Sequence, residues 1–355
     1  MGWPWQHNNW RDAAEPARKA FAAVAQAIAK FETVNIGARK DEVKVAAKYL
    51  GSGINIFEIP LDDAWFRDTG PTFVVQTHAA QGHLLCDSTV AGVDWDFNAY
   101  GGLYENFQQD KLITTNVLKA AGLERIPCPL VLEGGSIHVD GEGTLLTTEE
   151  CLLNTTSRAR NPTLSRSQIE GHLKEMLGVQ KIIWLPRGLY ADDDTNGHVD
   201  NFACFAAPGK VLLAWTDNTS DPQFERSAEA LKILEAATDA RGRHLQVTKL
   251  PLPEPLFRAP EEVPATEGGH EVMSRKAGER LAASYVNFYI ANGGIVMPAF
   301  GQEPADARAC AVLEQAFPDR EIVAVKSREI LLGGGNIHCI TQQQPAPGGS
   351  SEPVS

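Results

Sequence analysis

Leu332-Gly333-Gly334-Gly335-Asn336-Ile337-His338-Cys339-Ile340-Thr341 is the stretch from which the fold can be read. Three consecutive glycines strip the backbone of side chains, so the chain there can turn tightly or admit a ligand closely. The alternating run that follows reads as a short strand. Ile337, Cys339 and Thr341 fall on one face and Asn336, His338 and Ile340 on the other. That places a lone cysteine at the rim of a glycine-lined opening. Taken alone, such a cysteine is most often a small core hydrophobe.

A second copy of the stretch changes its meaning. Gly134-Gly135-Ser136-Ile137-His138-Val139 matches Gly334-Gly335-Asn336-Ile337-His338-Cys339 in all but two places. Further glycine-bearing corners stand at Trp65 to Pro71, Gly197 to Phe202 and Asn292-Gly293-Gly294. Their spacing is about 65 to 90 residues, too long for an ordinary solenoid and suited to one βαβ-type module each. Five such modules close into a propeller-like ring whose corners meet at a central opening. The repeat also sorts residues. His138 and His338 are shared by both copies, which predicts a structural role. Glu133 and Cys339 depart from the repeat, and departures are where function is expected.

The intervening periodicity fits these modules. Helices are expected at Arg11 to Phe31, Asp41 to Leu50, Lys111 to Ala121, Ser165 to Leu177, Phe224 to Ala240 and Ala305 to Ala316. Strands are expected at Val34 to Gly37, Ile54 to Ile59, Thr72 to Val75, Leu130 to Leu132, Thr144 to Thr148 and Lys181 to Leu185. Others fall at Val211 to Trp215, Ser284 to Ile290, Ile295 to Pro298 and Ile322 to Val325. The segment Gly197 to Phe202 should open a strand, which would put His198 and Asp200 on one face. Phe257 to Lys276 reads as an irregular surface loop. The expected organisation is one catalytic domain over residues 1–344, with a disordered Pro/Gly/Ser-rich tail over 345–355.

Composition bounds the function. The chain has 355 residues, 43% of them hydrophobic, enough for a substantial core. A net charge of −13 argues against nucleic acid and anionic membrane surfaces and accords with a cationic small substrate. No apolar run reaches membrane-spanning length. The six cysteines are Cys86, Cys128, Cys151, Cys204, Cys310 and Cys339; none shows zinc or redox pairing, and they read as reduced thiols of a cytoplasmic protein.

The corners carry the polar residues that burial would make costly: Trp65, Arg67 and Asp68; Glu133; His198 and Asp200; Cys339. Together they supply a nucleophile, a base and three carboxylates. A thiol needs a nearby cation or base to become a thiolate near neutral pH. Paired carboxylates suit a planar cation such as guanidinium, which can be gripped along two edges.

Four of these segments closely resemble the agmatine deiminases. They are Trp65-Phe66-Arg67-Asp68-Thr69-Gly70-Pro71, Glu133-Gly134-Gly135, Thr195-Asn196-Gly197-His198-Val199-Asp200-Asn201 and Gly333 to Cys339. The resemblance spans about Trp3 to Pro345, includes Ala282 to Tyr289, and is closest to the plant-type members. It implies the five-bladed α/β propeller, or pentein, fold of the guanidine-modifying superfamily. It also implies hydrolysis of agmatine to N-carbamoylputrescine and ammonia, a step of putrescine and polyamine biosynthesis, without metal or organic cofactor.

By the same resemblance Cys339 would be the nucleophile and His198 the general acid and base, with Glu133 orienting the imidazole. Asp68 and Asp200 would hold the guanidinium, with Trp65 and Gly334 lining the substrate site. Asp194, four residues before His198, would meet the distal amine of agmatine; read without the resemblance, Asp192-Asp193-Asp194 is equally a solvated turn. The expected partner is the small-molecule substrate, and the expected assembly a homodimer. The sequence departs from the family by a shortened segment ahead of Gly2-Trp3-Pro4-Trp5, predicting loss of a strand from the first module. It departs again at Trp5-Gln6-His7-Asn8.

Three other readings compete. The fold could act on arginine or peptidyl-arginine, although that substrate calls for cations near its carboxylate rather than an acidic triplet. A zinc hydrolase could use His198, Asp200, Glu133 and Cys339, but no close-spaced ligand pair supports it. A catalytically silent guanidine-binding propeller would not need Asp68, Glu133, His198, Asp200 and Cys339 together.

Overall fold

The computed structural model of the chain describes residues 1–6, 9–77, 88–156, 158–264 and 275–346. Five small sheets organise them, in keeping with the five-module reading. The first pairs β1 (Val34–Ala38) with β2 (Ile54–Glu58) in parallel, Val34 opposite Ile54. The helix Val43–Leu50 connects the two strands. Gly2 bridges to Gly37 beside β1, so the first module holds two strands and a single bridge among the described residues.

The other four sheets share one plan. An antiparallel pair is followed by a helix and then a third strand parallel to the second, which occupies the centre. The second sheet is β3 (Thr72–Thr77), β4 (Ser88–Asp96) and β5 (Glu124–Val131). The third is β6 (Ile137–Val139), β7 (Thr144–Thr148) and β8 (Lys181–Leu185). The fourth is β9 (Ala203–Ala207), β10 (Lys210–Trp215) and β11 (Gln246–Pro251). The fifth is β12 (Tyr289–Ala291), β13 (Gly294–Ala299) and β14 (Glu321–Lys326). The crossover helices are Ile113–Ala121, Arg166–Leu177, Pro222–Ala236 and Glu303–Ala316.

Local chemistry sets these boundaries. Ser165 and Gln168 form a reciprocal capping box that starts the third module's helix, and Gly178, at φ 67°, ends it in the left-handed region. Central strands such as β7 and β10 are buried almost throughout, as expected for strands covered on both faces.

Three sequence expectations are corrected. The stretch Ile337 to Ile340 is a turn, not a strand. The N–H of Ile340 reaches Asn336 O at 3.3 Å and that of Thr341 reaches His338 O at 3.1 Å. The N–H of His338, which a sheet partner would need, is taken by Asn287. Gly197 to Phe202 likewise holds a 3₁₀ turn, Val199–Asn201, so His198 and Asp200 do not share a strand face. Residues 284–288 also precede their strand rather than belong to it. Alternation of residue types marks these corners as extended, whereas side-chain hydrogen bonds bend them. Cys86, His7, Asn8, most of the tail and much of the Phe257 to Lys276 segment lie outside the described residues.

Candidate active site

The corners that precede the sheets deliver the site. Phe66–Thr69 forms one helical turn before β3 and carries Asp68. Glu133 caps the turn Gly134–Ser136 before β6. His198 and Asp200 precede β9, Asn287 precedes β12, and Cys339 lies in the last corner. The structure therefore brings Asp68, Glu133, His198, Asp200 and Cys339 together, as their residue types suggest.

Glycine makes the convergence possible. A Cβ on Gly135 would lie 2.7 Å from His198 Nδ1 and 2.9 Å from carboxylate oxygens of both Asp68 and Asp200. A Cβ on Gly335 would lie 2.7 Å from the Trp65 ring and 2.9 Å from Cys339 Cβ. Gly334 has φ +108° and faces Asp194 Oδ2 at 1.8 Å from its would-be Cβ, so both backbone and space demand glycine there. Trp65 is itself a buried wall: it packs on Trp10 at 5.5 Å, and its Nε1–H donates to Asp63 Oδ2 at 2.9 Å.

His198 is fully buried between acids. Nδ1 is 3.8 Å from Asp68 Oδ1 and Nε2 is 3.5 Å from Glu133 Oε2. Neither ring nitrogen has a well-formed hydrogen bond to a described residue. Burial would drive the imidazole to its neutral form, but Asp68, Cys151 and Glu133 outweigh it and hold its pKa well above the ordinary value. Glu133 is kept ionised against the opposing cost of burial, its pKa down at about 2, by Arg160 and His198. Arg160 Nε reaches the two Glu133 oxygens at 3.0 and 3.3 Å, with both side chains fully buried.

Asp68 accepts Gly135 N–H and Tyr100 O–H, each at 2.9 Å. Burial raises its pKa to about 6, partly countered by His198. Asp200 Oδ2 lies 2.8 Å from His338 Nδ1 and 3.6 Å from Cys339 Sγ. Its pKa is also raised by burial. Cys339 is 2% exposed, and burial together with Asp200 and Asp68 pushes its thiol well above the ordinary value. Both directions favour a thiol beside an imidazolium. A substrate cation between the two aspartates would remove the negative field that keeps the thiol protonated.

Several contributors are absent from the residue types singled out in the sequence. Asn287 donates Nδ2–H to Cys339 Sγ at 3.2 Å and to Asn201 Oδ1 at 2.9 Å, while its Oδ1 accepts His338 N–H at 2.9 Å. Its place in the fourth corner, where other corners carry Asp68 and Asp200, is the signal that marks it. Arg160 and Tyr100 carry no such signal, because long loops bring them in. Arg67, read only as a polar corner residue, ties two corners: its N–H donates to Cys339 O at 3.1 Å, and its Nη2 to Gln343 Oε1 at 2.7 Å.

Cys151 follows Thr148, whose Oγ1 accepts the Cys151 N–H at 3.2 Å. The ligand atoms of Cys151, Glu133 and His198 lie within 4.8 Å of one another. This is not the set expected for a zinc hydrolase, which would include Asp200 and Cys339. Arg160 already engages both Glu133 oxygens, so a metal cation there would sit against a guanidinium. The cluster suits a protonated imidazole better than a metal.

Asp194 is not a free carboxylate, because Arg275 Nη1 pairs with it at 2.7 Å. Arg275 Nη2 also donates to Gly333 O at 2.6 Å. Asp192 is buried and committed to Thr195 and Asn201. Asp192 and Asp194 are thus committed to partners, while Asp193 is exposed in the turn.

Known proteins are similar to this chain over nearly its whole length. Residues 1–345 match the model of the Porphyromonas-type peptidyl-arginine deiminase family. An agmatine deiminase from Medicago truncatula is 51% identical over 351 residues, covering 98% of this chain and 93% of the relative. One from Ectopseudomonas mendocina is 51% identical over 356 residues, covering 99% and 93%. The solved agmatine deiminase of Enterococcus faecalis superposes with a TM-score of 0.87 at 39% identity, covering 97% of this chain and 92% of that one. The polar corners, the five-sheet plan and these likenesses agree: the chain belongs to the agmatine deiminases, within the Porphyromonas-type peptidyl-arginine deiminase family.

Proposed function

We propose that the chain hydrolyses agmatine to N-carbamoylputrescine and ammonia by covalent catalysis from Cys339, a step toward putrescine. The observation that carries this reading is the convergence of Asp68, His198 and Asp200 on Gly135, with Cys339 Sγ beside Asp200. Two carboxylates grip the guanidinium, and its charge favours the thiolate, the thiol proton leaving to solvent as the substrate cation binds. Sγ attacks the guanidinium carbon, forming the C–S bond. His198 gives its proton to the departing nitrogen, which leaves as ammonia and yields a thiouronium. A water then attacks the same carbon while His198 takes its proton, and the C–S bond breaks to release the ureido product. Ammonia release with agmatine, compared with arginine, tests the reading. No release from either substrate would overturn it.

Acidity should disclose Asp68. Protonation removes its charge, so kcat/KM for agmatine should fall below about pH 6 and Asp68→Asn should abolish that limb. The sign for stability is opposite. Between 3.8 and about 6 the folded chain retains a proton that the unfolded one has lost. This carboxyl alone therefore favours the fold less as pH rises through that window. An acid limb unchanged in Asp68→Asn would remove Asp68 from guanidinium binding.

Asp194 completes the proposed selectivity by meeting the distal ammonium, and it shares that task with its bond to Arg275. Asp194→Asn should raise KM for agmatine and leave Arg275 free for the carboxylate of arginine. The agmatine-to-arginine ratio of kcat/KM should fall. An unchanged ratio would show that Asp194 merely anchors Arg275.

Among the described residues no helix is long and apolar enough to cross a membrane. Action on a small molecule in the cytoplasm, by a homodimer, completes the proposal; light scattering tests the assembly.

A further inference from the structure

His138 and His338 hold matching places in the repeat, yet their side chains have different partners. His138 Nδ1 accepts the backbone N–H of Phe205 at 3.2 Å, a bond within the scaffold. His338 Nδ1 instead faces Asp200 Oδ2 at 2.8 Å. The two rings lie 6.3 Å apart and 34° from parallel.

Asp200 is the more informative side of this contact. Its Oδ2 is shared between His338 and, at 3.6 Å, the thiol of Cys339. Its Oδ1 is buried without a partner among the described residues. A buried carboxylate oxygen left bare is costly unless a ligand is to occupy it. Which oxygen is bare depends on what pins the other.

His338 is itself firmly placed. Its N–H meets Asn287 Oδ1 at 2.9 Å and Asn287 O at 3.2 Å, and its carbonyl accepts Arg67 Nε–H at 3.4 Å. Burial, Arg67 and His198 keep the ring neutral, so it carries one ring proton. The acceptor 2.8 Å from Nδ1 selects the tautomer with that proton on Nδ1.

Building on the deiminase reading above, we propose that His338 is a positioning residue. Its Nδ1–H pins Asp200 Oδ2, which also faces the thiol of Cys339, and so leaves Oδ1 for the guanidinium. His338 does not touch the reacting carbon. It acts through Asp200, whose two oxygens would otherwise exchange places by rotation of the carboxylate.

Substitution at residue 338 separates this from a packing role. An asparagine amide nitrogen falls near the place of His Nδ1, and a glutamine amide nitrogen near that of Nε2. His338→Ala and His338→Gln should lower kcat/KM for agmatine about tenfold or more, chiefly through KM, on the scale of losing a hydrogen bond to a charged group. His338→Asn should stay within about threefold of the parent enzyme, since it restores that bond. His138→Gln should lower the melting temperature without moving KM. Equal behaviour of the Asn and Gln variants, or a parental KM in His338→Ala, would overturn the proposal. The Asn and Gln pair decides the matter even if the alanine variant does not fold. Parental enzyme inert toward agmatine would overturn the deiminase reading itself, whereas active parental enzyme with a flat His338 series overturns only this inference.

Discussion

Cys339→Ser should lose at least about a thousandfold in turnover, the scale seen when a nucleophile is removed from a catalytic set. The change removes little volume and keeps a hydrogen-bond donor beside Asn287 and Asp200. Binding of agmatine should therefore survive, and calorimetry with the inert variant should report an affinity near the parental one. The chemistry fails because a serine hydroxyl in this field has no access to its anion. A thiol gains that access once the substrate cation offsets Asp68 and Asp200. Mass spectrometry of the native enzyme with a slow substrate should find the adduct on Cys339 and not on Cys151, although Cys151 sits against the same imidazole. Substantial activity in Cys339→Ser would end the covalent mechanism.

Arg160→Met should be the most damaging change that leaves every substrate-touching group in place. Arg160 and Glu133 form a fully buried pair. Removing one member of such a pair costs about 3–5 kcal/mol, because the other charge remains in the interior without compensation. Denaturant unfolding should show that loss directly. In the surviving folded fraction the carboxyl should no longer be held near its low pKa, and a protonated Glu133 cannot stabilise the His198 imidazolium. Turnover should fall with stability. A variant of parental stability would show that water or a neighbouring donor replaces the guanidinium.

Much of this was legible in the sequence because the repeat leaves a record of itself. The near-identity of Gly134 to Val139 with Gly334 to Cys339 exposes both the modular plan and the two positions, Glu133 and Cys339, that break it. Strands covered on both faces were easy to find, as at Thr144–Thr148. β4 and β11 were both missed: polar and glycine residues interrupt the first, and β11 alternates too weakly beside its long connection. The corners misled for a different reason. Gly197 to Phe202 and Asn336 to Thr341 alternate like strands, but Thr195, Asn287 and Asn336 take their backbone groups with side-chain bonds. Local periodicity contains no trace of a partner supplied from another module. Arg160 and Arg275 were invisible for that same reason, and the Arg275 contact gives Asp194 a meaning that its acidic neighbours did not suggest.

The clasp between Arg67 and the corner that carries Cys339 has a consequence for how activity appears in time. The two contacts from Arg67 side-chain nitrogens reach His338 and Gln343 across 271 and 276 positions of chain. Gln342 reaches back to Pro71 across 271 more. Closing loops of such length is slow, since the ordering entropy must be lost before these contacts repay it. Four modules can each gain their sheets by short-range pairing while Cys339 still lacks Asp68, Asp200 and the bond from Arg67. On refolding, ellipticity should return first and turnover should wait for the last long-range closure. On the proposed mechanism, the thiol of Cys339 becomes reactive only when the molecule that confines it is complete.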